Sequence, residues 1–143
     1  MAEVRIEQTE FATQRDAIYA IRETVFIIEQ AVPADIEIDE LDPVARHVLA
    51  FVDGQAVGTG RITSEGRIGR MAVLADFRGL GVGRAILDAL IEIGVADGAS
   101  RLFLSAQCHA IPFYEKAGFV AQGQVYDEAG IDHRRMEWAR RRN

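Results

Sequence analysis

Apolar and polar positions alternate over Val4-Arg5-Ile6-Glu7, which predicts a first strand. A helical period follows. Thr9 or Thr13 is placed to cap a helix running to about Gln30, with Ala17, Ile18, Ile21, Val25 and Ile28 as its apolar stripe. Phe26 and Ile27 widen that stripe, so this end of the helix is expected to be buried on two sides. From Ala31 to Arg46 no period is sustained; Pro33 and Pro43 interrupt a long acidic connection carrying Asp35, Glu37, Asp39, Glu40 and Asp42. Three strands of a meander come next: His47–Val52, Ala56–Thr63 and Arg67–Leu74. Asp53-Gly54 and Ser64-Glu65-Gly66 supply the turns between them. Arg84 to Asp97 is amphipathic, with Ile86, Leu87, Leu90, Ile91 and Ile93 toward the core and Gly98 as its C-terminal cap. Leu102–Ala106 is a strand, Ala110–Lys116 a short helix ended by Gly118, and Phe119–Tyr126 and Ile131–Trp138 a closing hairpin around Asp127–Gly130. Because a helix crosses between them, Leu102–Ala106 should lie parallel to Arg67–Leu74. The fold class is therefore α/β (α+β): a mixed, mostly antiparallel sheet with a central parallel strand pair and helices on both faces.

Composition narrows the classes. The 143 residues suit one domain, expected to span 1–143, and 49% hydrophobic content suits a packed core. A net charge of −6 argues against a nucleic-acid surface. The basic run Arg140-Arg141-Arg142 reads as a frayed tail over 140–143. The one cysteine, Cys108, cannot form an internal disulfide, and it reads as a small buried apolar side chain. No apolar run reaches membrane-spanning length and no signal-peptide pattern opens the chain, so a cytoplasmic location is expected. No metal is expected. The acidic connection has Glu40 where an EF-hand wants glycine, and Cys108 and His109, as neighbours on a strand, would point to opposite faces.

The most specific chemistry lies between Gly69 and Ala85, GRMAVLADFRGLGVGRA. A short apolar strand leads into a glycine loop and then directly into a helix. That order builds an anion site, because the glycines let the backbone approach a ligand and the helix start offers unsatisfied N–H groups. Arg78 and Arg84 add cationic donors. A P-loop is excluded, since the loop has no Lys and no hydroxyl for magnesium; the dinucleotide spacing fails because Arg84 or Ile86 stands where the third glycine belongs. A nucleotide-binding α/β domain is disfavoured accordingly.

The spacing Arg78-x-x-Gly81-x-Gly83 resembles the Arg/Gln-x-x-Gly-x-Gly/Ala loop of the GNAT acyl-CoA N-acyltransferases. About thirty residues on, Tyr114-Glu115-Lys116-Ala117-Gly118-Phe119 resembles that family's Tyr-x-x-x-Gly-Phe segment, and the element order from Val4 to Trp138 also matches. Val25–Gln30, Glu37–Asp39, His47, Ala106-Gln107, Phe113-Tyr114 and Gly130–His133 look like the ElaA-like branch. The resemblance implies an acetyl-CoA-dependent transfer to a primary amine, of a small molecule or an exposed amino group, by direct attack on the thioester. It implies that Arg78, Gly79, Leu80, Gly81, Val82, Gly83 and Arg84 hold the pyrophosphate of coenzyme A. Met71, Ala72 and Val73 would flank its pantetheine arm, with Gln107 standing where many relatives carry Asn. Tyr114 would be the acid for the leaving thiolate. A neutral phenol, with a reference pKa of about 10 against about 8.5 for a thiol, donates a hydrogen bond at neutral pH. Many relatives place a Glu on the strand before the loop; here Arg70-Met71-Ala72-Val73 offers none. Candidates for the base or the acceptor site are Glu29, Glu37, Asp39, His47 and His133, with relay through water as the alternative. The acidic connection either receives a cationic amine or is a solvated face. A second reading is a catalytically silent acyl-CoA-binding or regulatory domain. An exposed edge strand could pair two copies in a homodimer.

Overall fold

Strand alternation and helical periodicity hold through most of the chain. The computed structural model describes residues 3–32 and 39–138. β1 (Val4–Thr9), β2 (Arg46–Val52), β3 (Gln55–Ile62) and β4 (Ile68–Val73) form an antiparallel sheet in that order. β5 (Phe103–Gln107), β7 (Ile131–Trp138) and β6 (Phe119–Glu128) form a second antiparallel sheet. Asp53 and Gly54 both take left-handed backbone, the hairpin turn that their sequence predicts, and Ala129 and Gly130 repeat it.

The expected parallel pair is reduced to a single point. Arg67 bridges Phe103 in parallel, and the Phe103 N–H donates to the Gly66 carbonyl at 3.0 Å. Beyond that junction β4 and β5 part, and the gap between them is the cleft described below. Gly66 is required here. Its φ is +91°, and a Cβ would stand 2.1 Å from the Arg101 carbonyl oxygen.

α1 (Phe11–Arg22) packs Ile18 and Ile21 on Leu49 of β2 and Ala72 of β4. Neither threonine caps it as expected. Thr9 ends β1, Glu10 takes the extended N-cap position, and the Thr13 hydroxyl donates back to the Glu10 carbonyl at 3.2 Å. Past Arg22 the helix widens into π turns over Glu23–Glu29, with the Gln30 N–H donating to the Val25 carbonyl. The wider turn rotates Ile28 out of the predicted stripe to 71% exposure and brings Phe26, Glu29 and Gln30 to the cleft. α2 (Val82–Ala96) covers the other face with Val82, Ile86, Leu87 and Leu90 buried. α3 (Ile111–Lys116) starts on a proline and follows a 3₁₀ turn over Cys108–Ala110. No helix among the described residues is long and apolar enough to cross a membrane.

The charges of α1 and the acidic connection form a buried network. Asp42, fully buried, receives both terminal nitrogens of Arg22 (2.8 and 3.1 Å), Arg61 at 2.8 Å and the Tyr19 hydroxyl at 3.2 Å. Arg61 also grips both oxygens of Asp39, at 2.6 and 2.8 Å, and Arg70 reaches Asp39 at 3.0 Å. The network ties α1, β3 and β4 to the end of the connection. Nothing in the hydrophobic pattern announces it except that Arg22 occupies a stripe position between Ile18 and Val25.

Candidate active site

A cleft of about 860 Å³ opens where β4 and β5 part. Its first wall is the free edge of β4. The Leu74 N–H donates to the Val57 carbonyl, so the main-chain groups of Ala72 and Leu74 point into the sheet. Those of Met71 and Val73, one step out of phase, point off the open edge. A bulge precedes them: Arg70 and Met71 together oppose Gly60, and Arg70 holds a φ of +51°. Bulges re-aim main-chain groups beside active sites, and a non-glycine residue with positive φ stores about 1–3 kcal/mol of strain.

The strand runs into the glycine loop. Gly81 (φ +83°) is the N-cap of α2, a conformation that spares only glycine the clash of a Cβ. The first main-chain bond into this end of α2 joins the Ala85 N–H to the Gly81 carbonyl at 3.1 Å. The N–H groups just ahead of it are the orphan donors of a helix start. At Gly79 and Gly81 nothing lies within 4 Å of where a Cβ would be, so the loop has an open side. This cradle fits a pyrophosphate.

Both arginines line the cleft and are engaged by carboxylates. Both terminal nitrogens of Arg78 engage the two oxygens of Glu29, at 2.8 and 2.9 Å, and its Nε donates to the Val73 carbonyl at 3.0 Å. Arg84 pairs with Asp88 at 2.9 Å. The guanidinium groups are thus occupied by carboxylates, and the free donors of the cradle are main-chain N–H groups. Arg78 instead bolts the π-helical end of α1 to β4. Its hydrogen bonds hold the Glu29 carboxyl below the usual range, so Glu29 is a carboxylate already engaged.

The other predicted residues divide clearly. Met71, Ala72, Val73, Arg78, Gly79, Gly81, Val82, Gly83, Arg84, Gln107 and Tyr114 all line the cleft; Leu80 does not and is 49% exposed. The Gln107 amide donates to Gln30 at 3.0 Å. Tyr114, on α3, packs edge-on to Phe113 and Phe119, and burial pushes its hydroxyl up to about 12. Among the described residues that hydroxyl has no hydrogen-bond partner, so it enters the cleft neutral and with its proton unused.

Of the base candidates, Asp39 lines the cleft, but the hydrogen bonds of Arg61 bring its carboxyl down to about 2. His47 lies outside the cleft. It is 1% exposed, donates from Nε2 to the Asp42 carbonyl at 2.8 Å and packs on Phe11; burial pulls its pKa down. It is a neutral strut between β2 and the acidic connection. Glu37 lies outside the described residues. His133 lines the cleft, buried to 7% exposure, together with Ser105 and Glu128, which the sequence reading passed over. Their signal was available: Ser105 breaks the apolar run of β5, and Glu128 directly precedes a turn. Cys108 corrects another expectation. It is half-buried and sits with His109 in a 3₁₀ turn rather than on a strand. Among the described residues no group of three or more His, Cys, Asp or Glu is placed to hold a metal ion.

Comparison with known proteins agrees with this geometry. The family model described as "Acetyltransferase (GNAT) domain" matches residues 9–140. A Bacillus subtilis protein designated uncharacterized N-acetyltransferase YjcF is 40% identical over 126 residues, covering 85% of this chain and 89% of that protein. ElaA of Escherichia coli is 32% identical over 129 residues, covering 85% and 84%. The crystal structure of Escherichia coli ElaA superposes with a TM-score of 0.84 at 28% identity, over 97% of this chain and all of that one. An acyl-CoA N-acyltransferase from Pseudomonas aeruginosa gives 0.83 at 29% identity, over 97% of this chain. With a parted sheet, a main-chain anion cradle and these relatives, the chain belongs to the GNAT acetyltransferase family.

Proposed function

We propose that the chain works as one domain that transfers the acetyl group of acetyl-CoA to a primary amine by direct attack on the thioester. The observation that carries this reading is the free edge of β4 running into the main-chain cradle of α2, with Tyr114 lining the same cleft. The pyrophosphate is held by N–H groups of the 79–84 loop, and the pantetheine arm lies along Met71 and Val73 as an added strand. A pantetheine amide takes the Val73 carbonyl that Arg78 now occupies. The bulge turns main-chain N–H toward the thioester carbonyl, where it stabilises the charge that develops on oxygen. As the C–S bond breaks, Tyr114 supplies the hydrogen bond that the thiolate needs; burial keeps the phenol protonated for that role.

Two measurements test this. Acetyl-CoA at about 100 times its Kd adds about 2.7 kcal/mol of stability, read as a higher melting temperature. Tyr114→Phe is expected to lower kcat at least tenfold and leave that stabilisation intact. No shift with acetyl-CoA refutes the cofactor site; unchanged turnover reduces Tyr114 to packing.

A further inference from the structure

Alternation along β5 and β7 gives the second sheet two unlike faces. Leu104, Ala106 and Met136 point into the core beneath α2. Ser105, Gln107 and His133 stand one step out of phase and face the opposite side, where Gln107 meets Gln30. The register sets His133 opposite Gln107 on β5 and opposite Tyr126 on β6. Glu128, two residues beyond Tyr126, shares that face.

These side chains form one connected group on the cleft. The Ser105 hydroxyl donates to Glu128 Oε2 at 3.0 Å, and so receives its hydrogen bond from the Tyr126 hydroxyl. Glu128 Oε2 is 3.5 Å from His133 Nε2, and the Tyr126 ring stacks on the imidazole. Nδ1 of His133 is 2.7 Å from the Ile131 carbonyl. A carbonyl only accepts, so Nδ1 carries hydrogen and Nε2 is the nitrogen that takes or gives a proton. In the protonated ring, Nε2–H points at a carboxylate that Ser105 already holds in place. The Ile131 carbonyl fixes the tautomer, and Glu128 stands beside the basic nitrogen, where an ammonium group could lie between the two.

We propose that His133 is the catalytic base for the incoming amine and Glu128 its positioning residue, so that the β6–β7 hairpin forms the acceptor half of the site. The proposal rests on the acyl-transfer reading above. Its substrate class is a primary amine that arrives as an ammonium ion, drawn to Glu128. One ammonium proton passes to His133 Nε2 and on to solvent. The lone pair so released forms the N–C bond with the acyl carbon, and the C–S pair leaves with sulfur. Tyr114 gives its proton to that sulfur. The second proton lost by nitrogen, as the amide forms, restores Tyr114. The groups facing His133 are Glu128 and Tyr126 from β6, Ser105 and Gln107 from β5, and Arg67 ahead of β4, whose guanidinium is 3.8 Å from Glu128. On its own strand Arg135 shares the face and pairs with Glu137.

The test is thiol release from acetyl-CoA with a panel of primary amines, measured from about pH 6 to 9 on the full chain. For the wild type, kcat/KM for the amine should rise with pH. His133→Gln should lower kcat by about 100-fold, while the acetyl-CoA melting shift stays. Glu128→Gln should lower kcat, and Glu128→Asp should restore part of the loss. Wild-type kcat in His133→Gln overturns the proposal. If that variant does not melt cooperatively, Glu128→Gln decides: a fall in kcat that Glu128→Asp partly restores supports the pairing, and wild-type kcat overturns it. No thiol release from the wild type with any amine refutes the acyl-transfer reading, and the proposal falls with it, before any variant is compared.

Discussion

Asp42→Ala removes the carboxylate on which the buried network closes. Asp42 is inaccessible to solvent, and Arg22 beside it is 1% exposed. Burial raises the Asp42 carboxyl, but the hydrogen bonds and charges of Arg22 and Arg61 outweigh it and hold the group ionised. Alanine therefore removes the Asp42 carboxylate from beside a guanidinium that cannot turn to water. Breaking a buried pair by removing one partner costs about 3–5 kcal/mol. With 143 residues the unfolding entropy is about 0.3 kcal/mol/K, so the melting temperature should fall by about 10–17 °C. Far-UV circular dichroism during heating reads this directly. The double variant Arg22→Met with Asp42→Leu removes both charges and should melt well above the single one, because Arg61 keeps Asp39. A fall below about 3 °C for Asp42→Ala, or a double variant no better than the single, would show that the network is effectively solvated and refute the reasoning.

Asp39 predicts a pH dependence. Its carboxyl is lowered from 3.8 to about 2 in the folded chain. A depressed carboxylate stabilises the fold above its unfolded value and loses that contribution as pH falls through the folded one. About 2 kcal/mol should therefore disappear between about pH 4 and pH 2, and Asp39→Asn should show a correspondingly flatter acid limb in urea titrations. Gly66→Ala forces a Cβ against the Arg101 carbonyl at a positive φ. It should destabilise by about 2–4 kcal/mol and weaken acetyl-CoA binding, since the junction of the two sheets lies there; a full-strength melting shift with acetyl-CoA in this variant would uncouple the junction from the cleft.

The meander, the closing hairpin and the glycine loop were legible because each rests on local signals: alternation in the strands, the Asp53-Gly54 turn, a glycine at the N-cap of α2. What sequence could not show depends on packing across distance. Ile28 belongs to an apolar stripe only if the helix keeps 3.6 residues per turn, and the π turns over Glu23–Glu29 undo that. The Arg78–Glu29 pair joins residues 49 apart in the chain, a contact that no local period encodes. His47 has the right intrinsic chemistry for a base, and only the fold shows that it is enclosed between Phe11 and Asp42. The Glu128–His133 contact spans a turn and a register that no period encodes.

Among the described residues the main chains of the two sheets are bonded at one place, Gly66–Arg67 against Phe103, and beyond it the cleft opens between β4 and β5. A thioester arm laid along Met71 and Val73, as proposed above, would complete the main-chain bonding of an edge that the polypeptide leaves unfinished. The ligand would then serve as part of the architecture as well as the chemistry. Resistance to proteolysis, and with it the lifetime of the chain, should rise and fall with the local supply of acyl-CoA.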